Sequence, residues 1–378
     1  MVRRIALALG LITAGLFLTG LARAQSPPGP IHPRPGVQPE APPAPSEDTP
    51  RMRVRVDLVS APVTVRDLQG DLILNLTQKD FRVYDNGVEQ QVSHFDLGGD
   101  PLAVALVVET SSRVAPMLPA IRRAGIVFTE TVMAQTAEAE LIGYNDSVDL
   151  LQRFTMTRDT MQHAIEKLPE GTSGARLYDA LSRAISDLEK EPASERRIIV
   201  VVGEPGDSGS EEKLGNILRE AQLANIAIYT IGLSPTAAAL REKPSQAESP
   251  SIGPPGTFPV PTPPGTIQTP QTEQETQGNI DFLSAMLWLL KTGANAVKSN
   301  SQEMLSRATG GMHIGTFRDR AIEKAFDTVG GELHTQYMLS YHPTGDVPTG
   351  YHEIKITVTR PDVKVRTRPG YYIAPPPA

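Results

Sequence analysis

Residues 102–108 read LAVALVV, an apolar run without a polar residue, and the run leads directly into the segment ETSSR at residues 109–113. A strand that is covered on both faces of a parallel sheet has this composition, because helices pack against it from both sides. Two further runs of the same kind, IIVVV at residues 198–202 and IAIYTIGL at residues 226–233, follow later in the chain. We expect these segments to be buried strands of one parallel sheet.

Helical periodicity separates the predicted strands. The clearest stripe recurs at intervals of three and four residues, as on the buried face of a helix, and consists of Leu177, Leu181, Ala184 and Leu188. Other apolar patterns predict helices near residues 121–132, 214–221, 280–297, 302–308 and 318–333, and strands at 141–144, 148–154 and 312–317. This alternation predicts a doubly wound α/β domain with a mostly parallel sheet over residues 101–333.

The regions on either side of this domain have a different pattern. Residues 51–100 show the alternation typical of half-buried strands, and Asn86-Gly87 is a hairpin signal because both residues tolerate a positive φ. Residues 334–378 add three predicted strands, at 336–341, 352–359 and 363–372. We expect these strands to pair with the N-terminal ones, so that the α/β domain is inserted into a small β domain that is split in sequence.

Three segments are predicted to lie outside the folded core. Residues 1–24 combine an arginine pair, an apolar run and a small-residue cleavage site, which is typical of a signal peptide. The alternative is a membrane anchor, but three glycines interrupt a run that is already short for a membrane span. Residues 25–50 are proline-rich and predict a disordered tether, and residues 234–278 predict a disordered surface insertion. The leader predicts export to the periplasm or the extracellular space.

Composition narrows the range of partners. The chain carries 43 acidic and 36 basic residues, a formal net charge of −7, and its basic residues form no cluster. Affinity for phosphate groups needs clustered Lys and Arg, so we expect neither nucleic acid nor an anionic membrane surface as a partner. There is no cysteine, which excludes a disulfide framework. After the leader, no apolar run is long enough to predict a second membrane span.

Enzyme motifs are missing from the sequence. It contains no Gly-x-Ser-x-Gly elbow, no glycine-rich phosphate loop, no His-Glu-x-x-His pair and no cysteine nucleophile. Ser111 would lie on a strand-end loop, where a hydrolase nucleophile can stand, but no histidine follows a neighbouring strand. The sequence therefore predicts a protein that is not an enzyme and that carries no cofactor.

Three polar loops are predicted at one edge of the sheet. Two of them follow the strands that end at Val108 and Val202, and the third leads into the helix that begins at Leu177. In a doubly wound sheet, ligands bind beyond the carboxyl ends of the strands. The segments expected there are ETSSR at residues 109–113, GTSGAR at residues 171–176 and GEPGDSG at residues 203–209. These three loops are the candidate binding site.

Together with these loops, an ordered set of motifs resembles von Willebrand factor type A domains, in particular the bacterial secreted VWFA-related proteins. The motifs are PVTVRDLQG at 62–70, LTQKDFRVYDNGVEQ at 76–90, LYDA at 177–180, VVVGEPGD at 200–207, ATGG at 308–311, QYMLSYHP at 336–343 and RPGY at 368–371. The resemblance covers about residues 53–373 apart from the insertion. It implies a von Willebrand type A-like, Rossmann-like fold.

The resemblance also implies a metal ion-dependent adhesion site, which in this sequence is degenerate. The family pattern is Asp-x-Ser-x-Ser after the first strand, a Thr before the third helix and an Asp after the fourth strand. The matching positions in this chain are, in that order, Glu109, Ser111, Arg113, Ala175 and Glu204. Only the serine at position 111 is unchanged, and Thr172 and Ser173 are candidate substitutes for the missing hydroxyl.

Two interpretations of this degenerate site remain open. In one, Glu109, Ser111 and Glu204 still hold Mg²⁺, a cation that prefers oxygen ligands. In the other, the metal is lost, because a guanidinium stays charged and repels a cation. Arg113 would then either bridge the two glutamates or point to solvent.

The function implied by the resemblance is that of a protein-binding or adhesion module. Given the replaced ligands, we expect it to bind a protein partner without a metal. The alternative is a structural or envelope-assembly scaffold of the same fold that has lost ligand binding.

Overall fold

A computed structural model of the chain describes residues 58–133, 136–192, 194–234, 282–294, 301–316, 319–344 and 347–373. The predicted signal peptide, the tether and nearly all of the predicted insertion lie outside these residues, so their predictions stand as made. None of the described helices is long and apolar enough to cross a membrane. The described residues belong to one compact unit.

The elements follow the predicted alternation, with two differences: there is a further helix at Arg158–Glu166, and the helix predicted over 280–297 ends at residue 292. The strands are β1 Val59–Asp67, β2 Phe81–Asp85, β3 Val88–Gln90, β4 Val92–Leu97, β5 Leu102–Glu109, β6 Ala137–Tyr144, β7 Val148–Thr155, β8 Arg196–Gly203, β9 Ala227–Leu233, β10 His313–Thr316, β11 Tyr337–Tyr341, β12 Gly350–Val358, β13 Val363–Thr367 and β14 Gly370–Ile373. The helices are α1 Leu118–Val127, α2 Arg158–Glu166, α3 Leu177–Leu188, α4 Leu214–Leu223, α5 at residues 282–292, α6 Ser301–Thr309 and α7 Asp319–Leu333. Short helical turns lie at Gln78–Asp80, Ala115–Met117 and Phe128–Val132.

The central sheet has six strands in the order β10-β9-β8-β5-β6-β7. Neighbours pair in parallel except β6 and β7, which are joined by a short turn and run antiparallel. Numbered along the chain from β5, the order is 3-2-1-4-5-6, which is the doubly wound arrangement. The predicted fold class, a doubly wound and mostly parallel α/β sheet, is confirmed.

Helices cover both faces of this sheet. On β5, Val104 and Leu106 pack into a core with α1, α2 and α7, while Ala105 and Val107 pack into a second core with α3, α4, α5 and α6. All eight residues of β5 are buried. This double coverage explains why the strand reads as an unbroken apolar run.

Strands from the two ends of the described chain pair with each other. β1 lies between β11 and β13, and β12 lies between β2 and β14. The result is two four-stranded antiparallel sheets, β13-β1-β11-β4 and β14-β12-β2-β3, that share one apolar core. The pairing of N-terminal with C-terminal strands is confirmed, whereas the domain boundaries at residues 100/101 and 333/334 remain predictions.

The prediction of a single strand over residues 363–372 is wrong. β13 ends at Thr367 and pairs with β1, whereas β14 begins at Gly370 and pairs with β12 in the other sheet. Pro369 lies between them and has no N–H to donate to a ladder. A Cβ on Gly370 would lie 2.1 Å from the backbone oxygen of His352, so only glycine fits at the start of β14.

Candidate functional site

The three predicted loops meet at the carboxyl ends of the central strands. The backbone N–H of Gly171 donates to the oxygen of Thr110 over 2.7 Å, and that of Ser112 donates to the oxygen of Thr172 over 2.9 Å. Ala175 and Ser208 exchange two backbone hydrogen bonds of 3.1 and 2.8 Å. We call the surface formed by residues 109–113, 145–147, 171–176 and 204–211 the strand-end face.

Glu109 forms the buried floor of this face. Its side chain is 0% exposed, and both carboxylate oxygens accept a hydrogen bond. The Ser111 hydroxyl donates to Oε1 over 2.5 Å, and the backbone N–H of Glu204 donates to Oε2 over 2.6 Å. Burial raises the pKa of Glu109 above its ordinary value, and these two hydrogen bonds, which favour the charged form, oppose that rise.

Arg113 lies between the two glutamates. Its Nη2 is 3.4 Å from Oε1 of Glu109, and its Nε is 3.1 Å from Oε2 of Glu204. The Arg113 side chain is 43% exposed and that of Glu204 is 24% exposed, so the guanidinium also faces solvent. Of the two orientations left open by the sequence, the structure has the bridge.

The hydroxyl candidates do not complete a ligand set. Ala175 is buried and is held by its backbone to Ser208. The Thr172 hydroxyl donates to Oδ1 of Asn145 over 3.2 Å rather than to either glutamate. Ser173 is exposed, and among the described residues it makes no hydrogen bond to Glu109.

This donor set does not fit a divalent cation. The Ser111 hydroxyl is used as a donor to Glu109, and a guanidinium stands beside the carboxylate oxygens that would have to be ligands. The part of the chain that the structure describes has no group of three or more acidic, His or Cys side chains placed to hold a metal. A fixed positive charge at this point competes with a cation for the same carboxylates.

Two supporting residues were not predicted. Gln302, at the start of α6, is buried and donates from Nε2 to the backbone oxygens of Gly203 and Glu204 over 3.0 and 2.9 Å. The buried hydroxyl of Tyr144 lies close by, since a Cβ on Gly203 would be 2.1 Å from it and 2.9 Å from Oε2 of Glu109. Position 203 therefore needs glycine. No local pattern signals either residue, because their roles arise from contacts across the sheet.

Asp207 has a structural role rather than a place beside Glu109. Its Oδ1 accepts hydrogen bonds from the backbone N–H of Tyr178 over 3.1 Å and from the Ser210 hydroxyl over 2.6 Å. Tyr178 lies in the first turn of α3, where N–H groups have no partner within the helix. The carboxylate thus holds the loop after β8 against the start of α3.

Comparison with known proteins gives distant similarities. No family model and no curated protein matches the chain. An aerotolerance-related membrane protein from Bacteroides fragilis is 12% identical over 61% of this chain and 99% of its own, with a TM-score of 0.38. A von Willebrand factor type A protein from Catenulispora acidiphila is 6% identical over 83% of this chain and 72% of its own, with a TM-score of 0.42.

The topology of the chain carries the assignment of its fold. The central sheet has the doubly wound order, helices lie on both faces, and the three polar loops meet at the strand ends. By this architecture, the α/β part of the chain has a von Willebrand factor type A-like fold.

Proposed function

We propose that this protein is a non-enzymatic binding module that recognises a protein partner through its strand-end face, without a divalent cation. The observation that carries the proposal is the position of Arg113, 3.4 Å from Glu109 and 3.1 Å from Glu204. A guanidinium between two carboxylates supplies a positive charge that cannot be removed by a chelator.

The surroundings of Arg113 support a recognition surface. Ser112, Asp146, Ser173 and Ser208 are exposed on neighbouring loops, so polar groups surround the guanidinium. The floor beneath them is rigid, because Glu109 is buried with both oxygens bonded. Exposed polar loops on a rigid scaffold are the usual position of binding residues in this class of fold.

The proposal extends to the setting of the protein. With a leader of the signal-peptide type, we propose that the chain acts in the periplasm or outside the cell. A net charge of −7 and dispersed basic residues favour a protein partner over nucleic acid.

A capture experiment tests the proposal. The mature protein is immobilised and incubated with cell-envelope extract, in buffer with Mg²⁺ and in buffer with EDTA. We expect the same partner to be retained in both buffers, to be lost with Arg113→Ala, and to be retained with Arg153→Ala, which removes an exposed arginine on β7.

Two results would contradict it. A partner that is released by EDTA would return the site to the metal-dependent class. A partner that tolerates Arg113→Ala but is lost when exposed residues of β4 or β13 are changed would favour the alternative, a scaffold that makes its contacts through the antiparallel sheets.

A further inference from the structure

A small cavity lies between the central sheet and the antiparallel sheets, at the start of β8 and therefore at the opposite end of that strand from the strand-end face. Its volume is about 40 Å³, and three arginines line it: Arg196 and Arg197 at the start of β8, and Arg368 in the link between β13 and β14. The remaining lining residues are apolar or carry neutral polar groups. Among the described residues that line the cavity, none is acidic.

Arg368 is the most enclosed of the three. Its side chain is buried, Nη1 donates to Oδ1 of Asn225, and the guanidinium lies 5.8 Å from the centre of the Tyr371 ring. Its Nε–H is buried and has no hydrogen-bond partner. Burial lowers the pKa of Arg368 to about 10, which leaves the group charged at neutral pH.

Arg197 shows the same lack of an anionic partner. Its guanidinium donates to the backbone oxygens of Glu189, Glu191 and Ala224, near the carboxyl ends of α3 and α4. Its Nε–H is likewise buried and without a hydrogen-bond partner. Neutral carbonyl groups thus hold the side chain in place while one donor stays unused.

Arg196 is held by neutral groups as well. It donates to the backbone oxygen of Leu333 and to Oε1 of Gln336. Asp100 and Glu332 act on Arg196 only at a longer distance, and Glu332 is already paired with Arg66 and Arg366. Within the described residues, no carboxylate lies at ion-pair distance from any of the three arginines of the cavity.

A buried charge without a counter-ion is strongly unfavourable, so buried cations are normally paired. Here one buried arginine and two partly buried ones line one small space, and two of the three have a buried N–H without a hydrogen-bond partner. We propose that this cavity is a binding site for a small inorganic anion, a chloride ion or a single tetrahedral oxyanion. The cavity volume of about 40 Å³ suits an anion of this size, because a cavity of about 10–15 Å³ already admits one water molecule.

Such an anion would connect parts of the fold that come from distant sequence. It would join the start of β8, in the central sheet, to the link between β13 and β14, in the antiparallel sheets. A ligand that binds only the folded state stabilises it in proportion to the logarithm of its free concentration. We therefore expect the anion to stabilise the packing of the antiparallel sheets against the α/β part.

Unfolding in defined salts tests the proposal. The mature protein is unfolded by heat at constant ionic strength while gluconate, a large anion, is replaced stepwise by chloride or by phosphate. We expect the midpoint to rise in at least one series, with each tenfold increase above the dissociation constant adding about 1.4 kcal/mol to the free energy of unfolding. The series that responds distinguishes chloride from oxyanion.

Two variants and one direct observation complete the test. Arg197→Gln, at a partly exposed side chain, should fold and lose the anion dependence, whereas Arg153→Gln should keep it. Crystals soaked in bromide should show an anomalous peak between Arg197 and Arg368, a result that does not depend on any variant. Equal midpoints in all three anions, together with no bromide in the cavity, would overturn the proposal and leave water as the occupant.

Discussion

The Nε of Arg113 lies 3.1 Å from Oε2 of Glu204, and this pair places a permanent cation where the resemblance leads one to expect a metal ligand. Both partners are partly exposed, so the pair contributes little to stability; exposed ion pairs are worth about 0–1 kcal/mol. The ion pair matters for recognition rather than for stability. It determines which charge the strand-end face offers to a partner and whether a cation can compete for the same carboxylates.

The first prediction concerns restoration of a metal site. Arg113→Ser combined with Ala175→Thr removes the guanidinium and restores a hydroxyl group at two positions of the family pattern. We expect isothermal titration of the wild type with Mg²⁺ or Mn²⁺ to show no binding, and the double variant to gain measurable divalent affinity, because hard cations prefer oxygen ligands.

Each single variant and Arg153→Ser serve as controls for this titration. Arg113→Ser alone should gain less than the double variant, and Arg153→Ser, on the exposed side of β7, should gain nothing. Millimolar or tighter binding by the unmodified protein, accompanied by protection against heating, would show that the glutamates hold a cation despite Arg113.

The second prediction concerns the buried ion cluster between the sheets. Glu332 is 0% exposed and pairs with Arg66 and Arg366, and it also accepts a hydrogen bond from the Tyr229 hydroxyl over 3.1 Å. Glu332→Ala leaves these donors without their anion, so we expect the free energy of unfolding, measured by chemical denaturation, to fall by about 3–5 kcal/mol.

Asp327→Ala, at an exposed position on the same helix, is the control and should change the free energy of unfolding by less than about 0.5 kcal/mol. A loss below about 1 kcal/mol for Glu332→Ala would mean that water replaces the carboxylate.

Much of the fold could be predicted because its local signals are strong. Asn86 and Gly87 have φ values of 46° and 81°, as the hairpin signal required, and β2 and β3 pair across them. The stripe at Leu177 became a helix of the same bounds, Leu177–Leu188. In each of these segments the conformation that the residues prefer locally is also the one that the folded protein requires, so the sequence pattern alone is sufficient to predict the structure.

Other features depend on contacts that no window of sequence contains. Residues 363–372 alternate like one strand, yet the chain leaves one sheet after Thr367 and enters the other at Gly370, where the space beside His352 admits only glycine. The same limit applies to the site. Matching charges made the bridge by Arg113 one of two open alternatives, whereas the support from Gln302 is set by α6 packing about a hundred residues further along the chain and has no signal in the sequence.

The third prediction tests the dependence of the N-terminal strands on the C-terminal ones. A mature chain that ends at residue 317 would lose β11 and β13, which are the two neighbours of β1, and β12, which pairs with β2. Unpaired strand edges invite association with other chains. We expect this truncated chain to aggregate in size-exclusion chromatography, and a monomeric, cooperatively unfolding product would contradict the described pairing.

The last prediction concerns pH and Glu140, a residue of β6 at the edge of the core away from the strand-end face. Its side chain is buried, and Oε1 has no hydrogen-bond partner. Burial, followed by repulsion from Asp187, raises the pKa of Glu140 from 4.5 to about 8, while Arg183 and Lys190 oppose the rise. Between these two values the folded state holds a proton that the unfolded state has lost. The stability that Glu140 contributes is therefore fully present below about pH 4.5, is lost as the pH rises towards 8, and does not change further above that.

Glu140→Gln replaces the carboxyl group with an amide of nearly the same shape that stays neutral at every pH. Near pH 4.5 the variant should unfold at about the denaturant concentration of the wild type. At pH 9 it should be more stable than the wild type by up to about 5 kcal/mol, since each pKa unit corresponds to about 1.4 kcal/mol. Glu138, whose pKa is raised to about 7 by burial and by Glu191, remains in both proteins, so the difference between them isolates position 140.

Glu130→Gln, at an exposed position, is the control and should have the stability of the wild type at every pH. Urea denaturation of the three proteins at pH 4.5, 7 and 9 measures this, and a Glu140→Gln effect that is the same at all three values would show that Glu140 is ionised in the folded protein across the range.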